Sequence, residues 1–108
     1  MTVLKETAEK YQPYDLQKIE EIYQTFIDLL SQIPTVEAIL TTQEGRVFCF
    51  WSVVNWLDDA IEDEIYQREG ELMDRFPEDL FDFHLIERRD RNLEEIISPS
   101  SFAVYYLR

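Results

Sequence analysis

Few residues in this 108-residue chain could carry out covalent chemistry. It has one cysteine, Cys49, and one histidine, His84, and a thiol nucleophile needs a base within hydrogen-bond reach. The two lie in different predicted strands, so they share a face only if the register of those strands allows it. We interpret Cys49 as a small buried hydrophobe, which suits a reducing compartment, and His84 as a half-buried strand residue. We therefore predict no catalytic residue.

Carboxylates are the most abundant ionisable groups. The chain has 23 Asp and Glu against 10 Lys and Arg, a formal net charge of -13, and residues 55–79 alone carry ten acidic and two basic side chains. Such a charge repels nucleic acid and anionic lipid, so a basic protein is the compatible partner. The alternative interpretation is that the charge only maintains solubility. The candidate partner-binding residues are Asp58, Asp59, Glu62, Asp63, Glu64 and Glu69.

The same acidic residues could in principle bind a cation. Asp58 with Glu62, and Asp59 with Asp63, lie four residues apart, so each pair could present two carboxylates on one side of a helix. Neither a Glu-x-x-His motif nor a glycine-containing calcium loop accompanies them. We favour a solvated acidic face and predict no metal and no cofactor.

Three arginines, Arg88, Arg89 and Arg91, could form a pocket for an anion. Several acidic residues stand beside them in the sequence, namely Glu87, Asp90, Glu94 and Glu95. Local ion pairing is therefore the favoured interpretation.

The elements that would position these residues centre on a hairpin from Thr35 to Asn55. A turn at Gln43–Arg46 contains Gly45, which can adopt a positive φ. After the turn, residues 47–54 are apolar at nearly every position, a pattern typical of a strand buried on both faces. Three aromatic residues at its end, Phe50, Trp51 and Trp56, could line a ligand cleft, although aromatic residues there are more often part of a core.

Helices are predicted on both sides of the hairpin. The first begins at an Asp15 cap, ends before Pro34 and has an apolar stripe, formed by Ile19, Ile22, Tyr23, Phe26, Ile27, Leu30 and Ile33. The second runs from Asn55 to Phe76 with Asn55 or Asp58 as its cap; its predicted inner stripe is Leu57, Ile61, Ile65, Leu72, Met73 and Phe76.

The rest of the chain predicts a third strand at Leu80–Arg88, a short helix around Asn92–Ile97, a loop at Ser98–Ser101 and a last strand at Phe102–Leu107. Residues 1–12 are interpreted as a loose arm. The whole predicts a single α+β domain, a two-layer sandwich of about four mostly antiparallel strands with two long helices on one face. The strand order stays open.

The order helix, hairpin, helix, strand over Tyr14 to Arg88 resembles the minimal core of the nucleotidyltransferase superfamily. That family has Gly-Ser after the first strand, a paired Asp-x-Asp on the second and a third Asp on a later strand, and these carboxylates hold magnesium. Here the first position reads Thr41-Thr42-Gln43, residues 47–54 contain no acid, and only Asp82 stands near the third position. The resemblance implies a degenerate, non-catalytic member in which Asp82 is the candidate ligand residue.

The favoured function is a small interaction or regulatory protein, like an antitoxin, immunity protein or inhibitor, whose acidic helix at Asp58–Glu71 meets a basic partner. One alternative is a degenerate nucleotidyltransferase-like domain that binds a nucleotide or metal. Another is a homodimer formed through the edge strand Phe102–Leu107. The N-terminal sequence has no continuous apolar run, so we expect a cytoplasmic protein without a signal peptide or membrane span.

Overall fold

The computed structural model describes residues 16–96 and the backbone of residues 103–107. In this part of the chain the helices are α1 (Leu16–Leu30), α2 (Asp59–Arg75) and the short α3 (Leu93–Ile96). The strands are β1 (Val36–Glu44), β2 (Val47–Val54), β3 (Leu80–Glu87) and β4 (Ala103–Leu107). The predicted α+β class is confirmed. The predicted arm at residues 1–12, the Asp15 cap and the loop at Ser98–Ser101 lie outside the described residues.

The four strands form one mixed sheet in the order β3-β2-β1-β4. Strand β1 pairs antiparallel with both β2 and β4, whereas β2 and β3 run parallel from Val47 opposite Leu80 to Val54 opposite Glu87. A parallel pair needs a long crossover connection, and α2 lies within it. Since β2 and β3 are parallel, their carboxyl ends meet at the same edge of the sheet.

Strand β2 is the apolar centre of the sheet. Six of its eight residues are buried, and Val47 and Trp51 are partly exposed. The tight turn before it contains Gly45 at φ 60°, as predicted. Burial of neighbouring residues along one strand requires cover on both faces, so the prediction of a strand buried on both sides is confirmed.

The main core lies between the two long helices and one face of the sheet. Phe26 of α1 stacks on Phe50 of β2 with ring centroids 4.2 Å apart, and Phe83 of β3 stacks on both rings at 5.8 and 6.0 Å. Tyr23 meets Phe50 edge-on at 5.8 Å. The core residues that α2 adds are Ile65 and Leu72, both fully buried. These contacts place α1 and α2 on the same face of the sheet.

One prediction about α2 is wrong. Met73, expected on the inner stripe, is 46% exposed, and the buried residues of α2 are Ile65, Glu69 and Leu72. A helix turns by about 100° per residue, so the residue that follows Leu72 already points away from the core. The same phase places Glu69, four residues after Ile65 and three before Leu72, on the inner side.

The opposite face of the sheet has a smaller apolar cluster. Ala38, Leu40 and Val53 are buried there, and Trp51, Ile86 and Leu93 of α3 pack against them. This cluster covers the part of the face near the end of β2, so the second face is only partly covered by the described helices.

Replacing each of the two glycines of the chain by alanine should change the free energy of unfolding in opposite directions. Gly45 has a positive φ, whereas Gly70 sits inside α2, where an added methyl group would meet no atom within 4 Å. We expect Gly70→Ala to raise the free energy of unfolding by about 1 kcal/mol, because alanine is the better helix former. We expect Gly45→Ala to lower it by about 1 kcal/mol, because alanine is strained at that φ. Urea unfolding checks both, and a loss of stability in Gly70→Ala would contradict the described surroundings of Gly70.

Candidate functional site

The side of α2 that points away from the core is rich in acidic residues. We call it the outer face of α2; its residues are Asp59, Glu62, Asp63, Glu64, Tyr66, Gly70, Met73 and Asp74. Asp59, Asp63, Tyr66, Met73 and Asp74 are exposed, and the others are partly exposed. Five of the six candidate partner-binding residues lie on this surface or at its start.

The N-terminal cap and the helix dipole explain why acidic residues are tolerated at the start of α2. Asp58 is the N-cap, and its Oδ1 accepts a hydrogen bond from the backbone N–H of Ile61 at 2.8 Å. Asp59 and Glu62 lie in the first turn, where the positive end of the helix dipole stabilises negative charge by about 0.3–1 kcal/mol each. Of the two caps proposed from the sequence, Asp58 is confirmed, while Asn55 has a different role.

The acidic residues of the outer face change the pKa of Tyr66, which lies among them. The charge of Glu62 is the main cause that raises the pKa of Tyr66 above its usual value; desolvation is the second cause, and the charges of Glu69 and Asp63 add to it. A tyrosine loses its proton less readily beside carboxylates because the phenolate would be repelled by them. A cation brought to this surface would be stabilised by the same charges.

Glu69 differs from the other candidate residues because it is 6% exposed. Burial raises the pKa of its carboxyl group from 4.5 to about 7, since a charged carboxylate loses its hydration there. Glu69 therefore lies on the inner side of α2, and the structure does not bring it together with the exposed acids. Its position in the helical repeat, four residues after Ile65, is the sequence signal that could have revealed this.

The second candidate group lies on the sheet face opposite the main core. The register pairs Cys49 with Asp82 and Trp51 with His84, so all four residues share one face. Asp82 Oδ2 lies 3.0 Å from His84 Nε2, and the His84 ring stacks on Trp51 with centroids 4.8 Å apart. The strand register thus places the only cysteine and the only histidine on one side of the sheet, which the sequence could not decide.

This group lacks an activated nucleophile. Cys49 is 4% exposed, and burial, followed by the charges of Glu44 and Asp82, raises the pKa of its thiol. A raised pKa keeps sulfur in its protonated, weakly nucleophilic form. No group of three or more metal-binding side chains occurs within the described ranges, and the residue that pairs with Asp82 on β2 is Cys49 rather than a second carboxylate.

The arginines after β3 are used within the fold. Arg88 binds the carboxylate of Glu37 through two nitrogens, with Nη2 2.9 Å from both oxygens. Arg89 Nε donates to Glu87 Oε1 at 2.5 Å, and Arg91 Nη2 donates to the backbone carbonyl of Glu87 at 3.0 Å. The interpretation of local ion pairing is confirmed for Arg89. Arg88 instead pairs with Glu37 on β1, and Arg91 binds backbone carbonyl oxygens.

Asn55 fixes the turn that follows the arginines. Its Nδ2 donates to Asp90 Oδ1 at 2.8 Å, and the backbone N–H of Asp90 donates to Asn55 Oδ1 at 2.6 Å. Arg89 and Asp90 both have positive φ values, 54° and 62°, which are costly for residues other than glycine. The two hydrogen bonds hold this turn against the ends of β2 and β3, so this edge of the sheet is closed by its own side chains.

The aromatic residues near the end of β2 do not line a common cleft. Phe50 is fully buried in the main core, Trp51 lies on the opposite sheet face, and Trp56 is 56% exposed. Trp56 is therefore available at the surface, shortly before the acidic start of α2.

Comparisons with protein families, with curated proteins and with solved structures found no match to this chain. Within the described residues, none of the helices is long and apolar enough to span a bilayer.

Glu69 makes stability depend on pH. Because its pKa is raised from 4.5 to about 7 in the folded state, its protonated form is favoured by folding. The stability that this proton provides is complete below about pH 4.5 and is lost as pH rises through about 7, a change on the order of 3 kcal/mol. Glu69→Gln should remove this loss and be more stable than the parent chain at about pH 8.

Urea unfolding at several pH values measures this effect, with Glu64→Gln as the control at a more exposed position of the same helix. The control should keep the parent's pH dependence. A Glu69→Gln variant that still loses the same stability between about pH 5 and about pH 8 would contradict the assignment.

Proposed function

We propose that the protein is a non-catalytic interaction module that binds a basic protein partner through the outer face of α2, as an antitoxin, immunity protein or inhibitor does. The observation that carries this proposal is that four acids of this face, Asp59, Glu62, Asp63 and Glu64, form no salt bridge with any described residue. The helix dipole favours Asp59 and Glu62 in the first turn, but no ion pair within the described residues neutralises any of the four.

Other acids of the chain are used differently. Glu37 pairs with Arg88 at 2.9 Å, and Asp79 lies 3.7 Å from Lys18 Nζ. On α2 itself Arg68 pairs with Glu71 at 3.3 Å, and Asp59 and Asp63 stand four residues apart without a basic partner among the described residues. Like charges four residues apart destabilise a helix by a few tenths of a kcal/mol per pair, so a basic partner would relieve this repulsion.

Exposed aromatic residues favour a protein over a small cation as the partner. Trp56 and Tyr66 are 56% and 52% exposed and stand on either side of the acids Asp59 and Asp63 in the sequence. Tryptophan and tyrosine are the residue types enriched where binding energy concentrates in protein interfaces. Charged residues around them would guide association and set its salt dependence.

Two alternative proposals use other parts of the sheet. A degenerate nucleotidyltransferase-like domain would bind a nucleotide or metal at Asp82, which is exposed on β3. A homodimer would pair β4, an edge strand of the sheet, with its copy. Neither alternative needs the outer face of α2, so substitutions there separate them from the favoured function.

A charge exchange at two places on the surface tests the proposal. One variant combines Glu62→Lys, Asp63→Lys and Glu64→Lys on α2, and the control combines Glu20→Lys, Glu21→Lys and Asp28→Lys on α1, where all three acids are exposed. Both change the net charge equally. Tagged chains would be used to capture proteins from a lysate of the source organism at about 0.05 M and about 0.5 M salt.

We expect the parent chain and the α1 control to retain a basic protein at low salt and to lose it at high salt, because screening weakens exposed charge pairs. The α2 variant should retain at least about tenfold less of it. Equal loss in both variants would show that only the total charge matters, and capture unaffected by the α2 exchange would contradict the proposed surface.

A further inference from the structure

Gly70 is unexplained by the fold. It lies inside α2, where glycine costs about 1 kcal/mol relative to alanine, and a methyl group at its position would meet nothing within 4 Å. Its φ lies outside the left-handed region, so the backbone there does not require glycine. Neither close packing nor a turn in the described chain accounts for this residue, whereas a close approach from outside would.

Two exposed apolar side chains stand on either side of Gly70. Tyr66 lies one turn before it and Met73 one turn after it, and they are 52% and 46% exposed. Residues at these spacings share one side of a helix. The surface is therefore a shallow saddle, with a large side chain at each end and backbone in the middle.

The shape and the charge of this saddle both favour a cationic helix as its binding partner. A gap between side-chain ridges is what another helix packs into, and a glycine at the crossing lets the two axes come closer. Asp59 and Asp63 continue the same stripe towards the start of α2, and Asp74 follows Met73. A second copy of the chain, with its net charge of -13, would be repelled, while a cationic helix would be attracted.

We propose that the outer face of α2 receives a basic amphipathic helix whose apolar side packs on Tyr66 and Met73 across Gly70, while its cations meet Asp59 and Asp63. The inference rests on the proposed function and adds to it the partner's secondary structure and the point of closest approach. From Asp59 to Asp74 the surface is about 22 Å long, which corresponds to about four turns of a partner helix.

Two synthetic peptides of about 15 residues test the inference. Both carry the same number of lysines on one helical side; the first has leucines on the other side and the second has alanines. Each is titrated into isotope-labelled protein at about 0.15 M salt, and the backbone amide signals locate the contact. We expect the leucine peptide to bind at least about tenfold more tightly, with the largest signal shifts at Tyr66, Gly70 and Met73.

Variants of the protein complete the test. Gly70→Gln fills the gap and should weaken binding of the leucine peptide by about tenfold or more without changing binding of the alanine peptide. Ala60→Gln, which adds the same side chain at an exposed position in the first turn, should change neither. Thermal unfolding checks that Gly70→Gln is folded. Tyr66→Ala provides a second variant, which should also weaken binding of the leucine peptide only.

The outcomes separate the inference from the function on which it rests. Equal affinity for the two peptides, or no effect of Gly70→Gln and Tyr66→Ala, would overturn the helix-packing inference and leave the acidic surface intact. Failure of both peptides to bind, even at about 0.05 M salt, would contradict the proposed function itself.

Discussion

Burial of β2 on both faces is the constraint on which the rest of the structure depends. Phe48 and Phe50 face the long helices, while Cys49 and Val53 face the other way and are nearly as well buried. A strand of this composition needs a neighbour on each edge and cover on each face, because exposed apolar area costs about 25 cal/mol per Å². The strands β1 and β3 pair with its two edges. The two long helices cover one face, and Leu93 of α3 packs against part of the other.

Helix α2 presents different residues on its opposite sides. Its inner side adds Ile65 and Leu72 to the core, and its outer side presents Asp59, Asp63 and Tyr66 to solvent. Glu69 is an exception to this separation of apolar and acidic residues. It lies on the inner side of α2, where burial raises the pKa of its carboxyl group to about 7. Because the core needs only one side of the helix, the other side can be specialised for binding without loss of the fold.

The sequence predicted those features that depend on local periodicity. The stripe of α1, the burial of residues 47–54 and the turn at Gly45 follow from spacing within a few residues. The inner side of α2 was partly wrong because Met73 and Glu69 differ only by their phase about the helix axis. The shared face of Cys49 and His84 depends on the parallel register of β2 and β3, strands separated by the whole of α2, and short-range patterns carry no information about such a pairing.

Photo-crosslinking in cells of the source organism tests most directly whether the outer face of α2 meets a basic partner. A crosslinking residue would replace Gln67, which is exposed beside Tyr66, and in a control chain it would replace Gln17, which is exposed on α1. We expect position 67, but not position 17, to capture a protein with an excess of lysine and arginine. Capture of the same proteins at both positions, or of an acidic protein at position 67, would contradict binding through this face.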